Sequence, residues 1–199
     1  MSELKFLPID LPLMIDKEEI YNGFEPDSEF HAWEFEKLTD TTDGKYGRNY
    51  IKDESRERFP TLCEYIDLLP YDAISNVKIN CQRKPTVPHV DFTQPEKGQE
   101  LWKNSVANEP CGYRIVIKGA TDVLKIHTND EIQTAYMPEE THAYAIDQSS
   151  GLHSVIDDPG RITVYTTGFI NKDKHDKLIK KSLDKYRRYA IYKETGPIR

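Results

Sequence analysis

Two imidazoles and one carboxylate stand out by type and spacing. His89 and Asp91 flank one residue in Pro88-His89-Val90-Asp91, and His153 follows in Ser150-Gly151-Leu152-His153. Two neutral nitrogens and one anionic oxygen can hold one face of a divalent ion and leave positions open, the donor set of a non-haem Fe(II) centre. In an extended strand residues i and i+2 point to one side, so His89 and Asp91 can face a single ion together. His153 must arrive through the fold, and Ser150 and Gly151 offer a turn to aim it. Cys63, Cys81 and Cys111 lack metal-ligand spacing, which argues against a thiolate zinc site.

Arg161 and Thr163 lie two apart in Arg161-Ile162-Thr163-Val164-Tyr165. On a strand they share a face, inward if Ile162 and Val164 pack on the other side. An inward arginine is costly unless paired, and a carboxylate taken in bidentate fashion is its natural partner. That carboxylate is either an internal Asp or Glu or the acid of a bound cosubstrate. Arg114, inside the apolar run Tyr113-Arg114-Ile115-Val116-Ile117, poses the same question more weakly. Lys78 is a third candidate, although an outward lysine on an edge strand accounts for it more simply. His31, His127, His142 and His175 have no carboxylate or cysteine at suggestive spacing, and only His142 is kept as a reserve ligand.

These residues need strands to carry them. From residue 74 onward the chain breaks into short β-rich runs, at 75–81, 113–118, 123–127, 132–136, 143–147, 153–156 and 161–170, closed by Asn, Pro, Asp or Gly. Many short strands at close spacing predict a mainly β fold, a double-stranded β-helix of the jelly-roll or cupin type, rather than a parallel α/β sheet. The mouth of such a fold gathers ligands that lie far apart in sequence. Before it, residues 33–38 alternate like a strand, 39–50 read as a loop, and 60–69 have helical periodicity with Pro60 in the first turn. After it, Leu178, Ile179, Leu183 and Tyr186 recur at helical spacing, so a C-terminal helix docks by one face.

At 199 residues the chain is read as one domain: a core at 74–171, an N-terminal substrate and support region at 1–73, and a C-terminal helix at 172–199. Net charge is −7, which argues against broad nucleic-acid binding. No apolar run approaches bilayer length, and the N-terminus lacks a signal-peptide core. Three scattered cysteines suggest reduced thiols and a cytoplasmic protein. From Asn171 onward ten Lys/Arg stand against four Asp/Glu. This basic stretch is read as a solvated outer face, with an acidic partner, such as another copy of the chain in a homo-oligomer, as the alternative.

Pro88-His89-Val90-Asp91, Tyr113 to Ile117, Ala145 to Val155 and Arg161 to Tyr165, in this order and spacing, resemble the aspartyl/asparaginyl β-hydroxylase family of Fe(II)/2-oxoglutarate-dependent dioxygenases. The resemblance covers residues 74–171. It implies a double-stranded β-helix in which His89, Asp91 and His153 carry iron. Arg161 would bind the distal carboxylate of 2-oxoglutarate, with Thr163 beside it, and Arg114 would hold or lie near the carboxylate next to the keto group. It also implies an oxidoreductase that consumes O2, releases succinate and CO2, and hydroxylates an unactivated C–H bond, in a small-molecule or peptide substrate such as an amino acid, free or within a protein. Two departures stand out. Asp91 is present where some members lack the carboxylate ligand, which favours hydroxylation over halogenation, and Val116 stands where the family often has histidine. Residues 1–73 have no counterpart. Their Trp33, Phe35, Tyr46 and Tyr50 are read mainly as core, with some lining a substrate pocket; the 93–110 segment is the other candidate for substrate recognition. Two further readings are a redox-neutral metalloenzyme (isomerase or hydrolase) on a cupin-like barrel and a non-catalytic binding module on the same fold.

Overall fold

Apolar and polar residues alternate at the strand period through much of 71–170, and the chain answers with paired strands. The computed structural model describes residues 2–12, 15–41, 47–91, 110–120, 122–128, 131–147 and 152–194. In its first part it forms β1 (Ser2–Pro8), α1 (Lys17–Gly23), β2 (Ser28–Phe30), β3 (Trp33–Lys37), β4 (Thr39–Asp40), β5 (Tyr50–Ile51), α2 (Asp53–Arg58) and α3 (Pro60–Asp67). There follow β6 (Tyr71–Gln82), β7 (Gly112–Lys118), β8 (Leu124–His127), β9 (Ile132–Thr134), β10 (Ala143–Ile146), β11 (His153–Val155) and β12 (Ile162–Ile170). The helix α4 (Lys172–Tyr186) and the strand β13 (Ile191–Glu194) end the described chain. No helix among the described residues is long and apolar enough to cross a membrane.

The large sheet has eight strands in the order β13-β1-β10-β7-β12-β6-β3-β2, and a smaller sheet has the order β11-β8-β9. An isolated bridge, His89 with His153, adds the 89 segment beside β11. The chain therefore crosses between the sheets repeatedly: β6 large, 89 small, β7 large, β8 and β9 small, β10 large, β11 small, β12 large. That interleaving is the jelly-roll pattern expected from the sequence. Val116, Tyr144 and Ile146 of the large sheet pack against Leu124, Ile126 and Val155 of the small one. The opposite face of the large sheet, with Val77, Ile79, Ile115 and Val164, packs against Ile20 of α1, Leu62 and Ile66 of α3 and Leu178 of α4. The result is three layers with β7 buried on both faces.

Several elements differ from expectation. β6 begins at Tyr71, not residue 75, and lies between β12 and β3, so Lys78 is not on an edge strand. Its ammonium sits 4.2 Å from the centroid of the Phe35 ring. The 39–50 segment is not all loop: β4 and β5 pair as a short ladder, while Tyr46 lies outside the described residues. β1 escapes a periodicity reading because Lys5 interrupts it. Lys5 is nonetheless buried, and its Nζ donates to Asp147 Oδ2 at 2.6 Å.

α4 starts at Asn171, whose side chain accepts the Lys174 N–H at 3.0 Å. Its buried face is His175, Leu178, Ser182 and Tyr186, with Leu183 only partly covered. Much of its positive charge is met within the chain: Lys172 pairs with Asp176, Lys180 with Asp184, and Lys181 and Lys185 both reach Asp10. Because the Asn171 side chain satisfies an orphan donor of the first turn, Asn171→Ala is expected to lower unfolding free energy by about 1 kcal/mol. Urea denaturation followed by circular dichroism reads this; an unchanged midpoint would show that the cap does not hold the helix start.

Candidate metal centre

The bridge between the 89 segment and β11 is what brings the candidate ligands together. His89 N–H donates to the His153 carbonyl and His153 N–H to the His89 carbonyl, both at 2.9 Å. The two rings are therefore directly opposite, with centroids 4.5 Å apart. Asp91, two residues after His89, turns to the same side. Its Oδ1 lies 3.7 Å from Nε2 of His89 and 3.7 Å from Nε2 of His153. Ligand atoms of all three lie within 4.8 Å of one another, the one such cluster of His, Cys, Asp or Glu among the described residues.

These distances suit one ion. Donors each about 2.1 Å from a metal sit about 3 to 3.6 Å apart at ordinary coordination angles, so a small inward adjustment completes the face. The tautomer of His89 also fits. Its Nδ1 lies 2.8 Å from the Val87 carbonyl, which can only accept, so Nδ1 carries the hydrogen and Nε2 keeps its lone pair for a metal. Burial alone would raise the Asp91 carboxyl, but Arg114 beside it, then His153 and His89, hold it below the ordinary carboxylate range. Asp91 is thus ionised at neutral pH. His142, the reserve ligand, does not join the cluster, and the Ser150-Gly151 turn lies outside the described residues.

The cluster opens into a cavity of about 490 Å3, partly open to solvent, whose wall includes Arg114, Arg161, Thr163 and Tyr165. Arg161 and Thr163 face it together while Ile162 and Val164 join the helix-side core, as strand alternation requires. Arg161 is 2% exposed. Its Nε donates to the Ala120 carbonyl at 3.2 Å, and no carboxylate among the described residues forms an ion pair with it. An internal salt bridge, one of the two expectations for this residue, is therefore not found there. A buried guanidinium without a counter-ion is costly, and an incoming carboxylate could pair with it.

Arg114 is placed differently. Its Nη2 donates to Asp91 Oδ2 at 2.7 Å, and its Nη1 to the carbonyls of Tyr113 and Thr166, each at 2.9 Å. Its guanidinium carbon lies 3.6 Å from the centroid of the Tyr165 ring. Lys78, the third basic candidate, does not line the cavity.

Asn80, Tyr144 and Tyr165 also line the cavity and were not singled out from the sequence. A signal existed for one of them: Tyr165 is two residues beyond Thr163 on the same strand, whereas Asn80 is placed here only by its cross-strand pairing with Thr163. Among the aromatics of the N-terminal region, Trp33 lines the cavity. Tyr50 does not; it is half exposed, with its hydroxyl on Asp40 of the small β4–β5 ladder. Of the 93–110 segment, only Pro110 falls among the described residues.

No protein-family model matches this sequence, and no curated protein matches it significantly. Among solved structures, one described as an oxidoreductase of the 2OG-Fe(II) oxygenase family from Burkholderia pseudomallei is similar with a TM-score of 0.45 and 13% identity. The similarity covers 77% of this chain and 76% of that one.

Proposed function

We propose that the protein is an Fe(II)- and 2-oxoglutarate-dependent hydroxylase acting on an amino acid, free or within a peptide. The observation that carries this reading is one cavity holding both a two-histidine, one-carboxylate face and a buried arginine without a counter-ion. His89, Asp91 and His153 would hold the iron. With 2-oxoglutarate and O2 it supplies the oxidising chemistry, yielding succinate, CO2 and a hydroxylated C–H position. The chain's own part is binding and orientation. Arg161 takes the distal carboxylate of 2-oxoglutarate as a charge-assisted, bidentate pair, and Thr163 offers a hydroxyl on the same face. Leu124, Ile146 and Val155 give the cavity an apolar wall that limits water. Asp91 stays ionised, so metal binding releases no proton there. Free thiols at all three cysteines accord with a reducing, cytoplasmic setting.

The experiment is succinate release from 2-oxoglutarate by the Fe(II)-loaded protein, screened with amino acids and peptides as stimulators. Metal binding without succinate from any of them would favour a redox-neutral metalloenzyme on this fold. With a stimulating substrate in hand, Trp33→Ala is expected to lower the ratio of hydroxylated product to succinate several-fold, because Trp33 borders the cavity and is not one of the proposed metal or cosubstrate ligands. Tyr50→Ala is expected to leave it unchanged. A wild-type ratio in a folded Trp33→Ala variant would move substrate recognition elsewhere, the 93–110 segment first.

A further inference from the structure

The two oxygens of Asp91 have different neighbours. Oδ1 faces the two imidazoles, at 3.7 Å from each Nε2, whereas Oδ2 accepts a hydrogen bond from Arg114 Nη2 at 2.7 Å. Arg114 is itself fixed. Both hydrogens of Nη1 are committed to the carbonyls of Tyr113 and Thr166. Its plane lies against the Tyr165 ring, and it is 6% exposed. β7 and β12 pair Arg114 directly with Tyr165, so two adjacent strands of the rigid central sheet set the position of the guanidinium. Asp91, by contrast, follows a short segment outside the sheets, tied to β11 through Thr86 with Val155 and the His89–His153 bridge. The rigid partner therefore places the less constrained one.

From this geometry we infer that Arg114 is a positioning residue of the metal centre: it holds Asp91 Oδ2 and so restricts the carboxylate to one donor oxygen. The inference rests on the metal-site reading above. Its consequence is a count of positions. A carboxylate free to turn can chelate an ion with both oxygens, and the protein would then fill four positions of six. With Oδ2 engaged by Arg114 the protein fills three and leaves three, which is what a bidentate cosubstrate and O2 require together. The same geometry argues against Arg114 as a clamp for the cosubstrate's own carboxylate, because an acid arriving at Nη2 would have to displace Asp91.

The test uses the full chain, with Mn(II) titration followed by electron paramagnetic resonance and Co(II) ligand-field absorption. Arg114→Leu is expected to weaken Mn(II) binding about 10- to 100-fold, the usual effect of losing a partner that orients a metal ligand, and to shift the bound-Co(II) bands. Arg114→Lys, which keeps a cation near Oδ2, is expected to recover part of the affinity. Arg161→Leu is expected to bind Mn(II) as the wild type does. Wild-type Mn(II) affinity and an unchanged Co(II) spectrum in Arg114→Leu, with 2-oxoglutarate affinity lowered more than the metal's, would overturn the inference and make Arg114 a cosubstrate clamp. If Arg114→Leu fails to fold by circular dichroism, Arg114→Lys decides: weakened Mn(II) binding supports the inference and unaltered binding overturns it. Failure of the wild-type protein to bind Mn(II) or Co(II) would instead remove the metal-site reading itself.

Discussion

His153→Ala is expected to abolish stoichiometric Fe(II) binding in anaerobic titration. Its side chain is one of three donors, and nothing among the described residues stands ready to replace it. Four-ligand structural zinc sites bind with about 10–16 kcal/mol, so a single donor is worth about 2.5 to 4 kcal/mol, roughly a 70- to 900-fold loss. The fold should survive the change, because what β11 contributes at this position is its backbone: both hydrogen bonds of the bridge to His89 are main-chain bonds. A melting curve separates loss of metal from loss of structure. Full iron occupancy in a folded His89→Ala/His153→Ala double variant would sink the assignment, since Asp91 alone cannot hold the ion.

Arg161→Leu is the second large effect. With the centre loaded by Mn(II), calorimetry is expected to show 2-oxoglutarate binding weakened by about 1.5–3 kcal/mol, the scale of a hydrogen bond to a charged group. Metal affinity should be unchanged. Stability gives an independent signature. A structural ion pair loses stability when one partner is removed, but Arg161 has no ion-pair partner among the described residues. The variant without 2-oxoglutarate should therefore lose no more than the hydrogen bond to the Ala120 carbonyl, about 1 kcal/mol. Unaltered 2-oxoglutarate affinity would end the role of Arg161 as the clamp.

What could be read from the sequence here was set by the range of each signal. Strand alternation is local, and it places Arg161 with Thr163, and Ile162 with Val164, on opposite faces before any coordinates are seen. The helix at 60–67 is equally legible because Pro60 and four buried residues mark it. Partners across strands are not local. That Asp91 meets Arg114 depends on the bridge that lays the 89 segment beside β11, across from β7 of the large sheet, and nothing within either segment announces it. Asn80 was overlooked for the same reason: it matters because it pairs with Thr163. β1 was hidden by Lys5, whose burial makes sense only once Asp147, distant in sequence, is beside it. α2 was hidden because its six residues, Asp-Glu-Ser-Arg-Glu-Arg, carry no apolar stripe at all.

The back-to-back pairing of His89 with His153 also bears on how the molecule breathes. The two residues trade both backbone hydrogen bonds, yet the bridge stands outside any longer ladder. Such a junction can open without disturbing the three-layer core, by a local rather than a global route. An ion gripping both side chains would have to leave before the junction could part. At about one hundred times its dissociation constant, the ion would add about 2.7 kcal/mol to the work of opening. The centre would then also act as a latch: amide exchange at the junction would slow when it is loaded and quicken when it is empty.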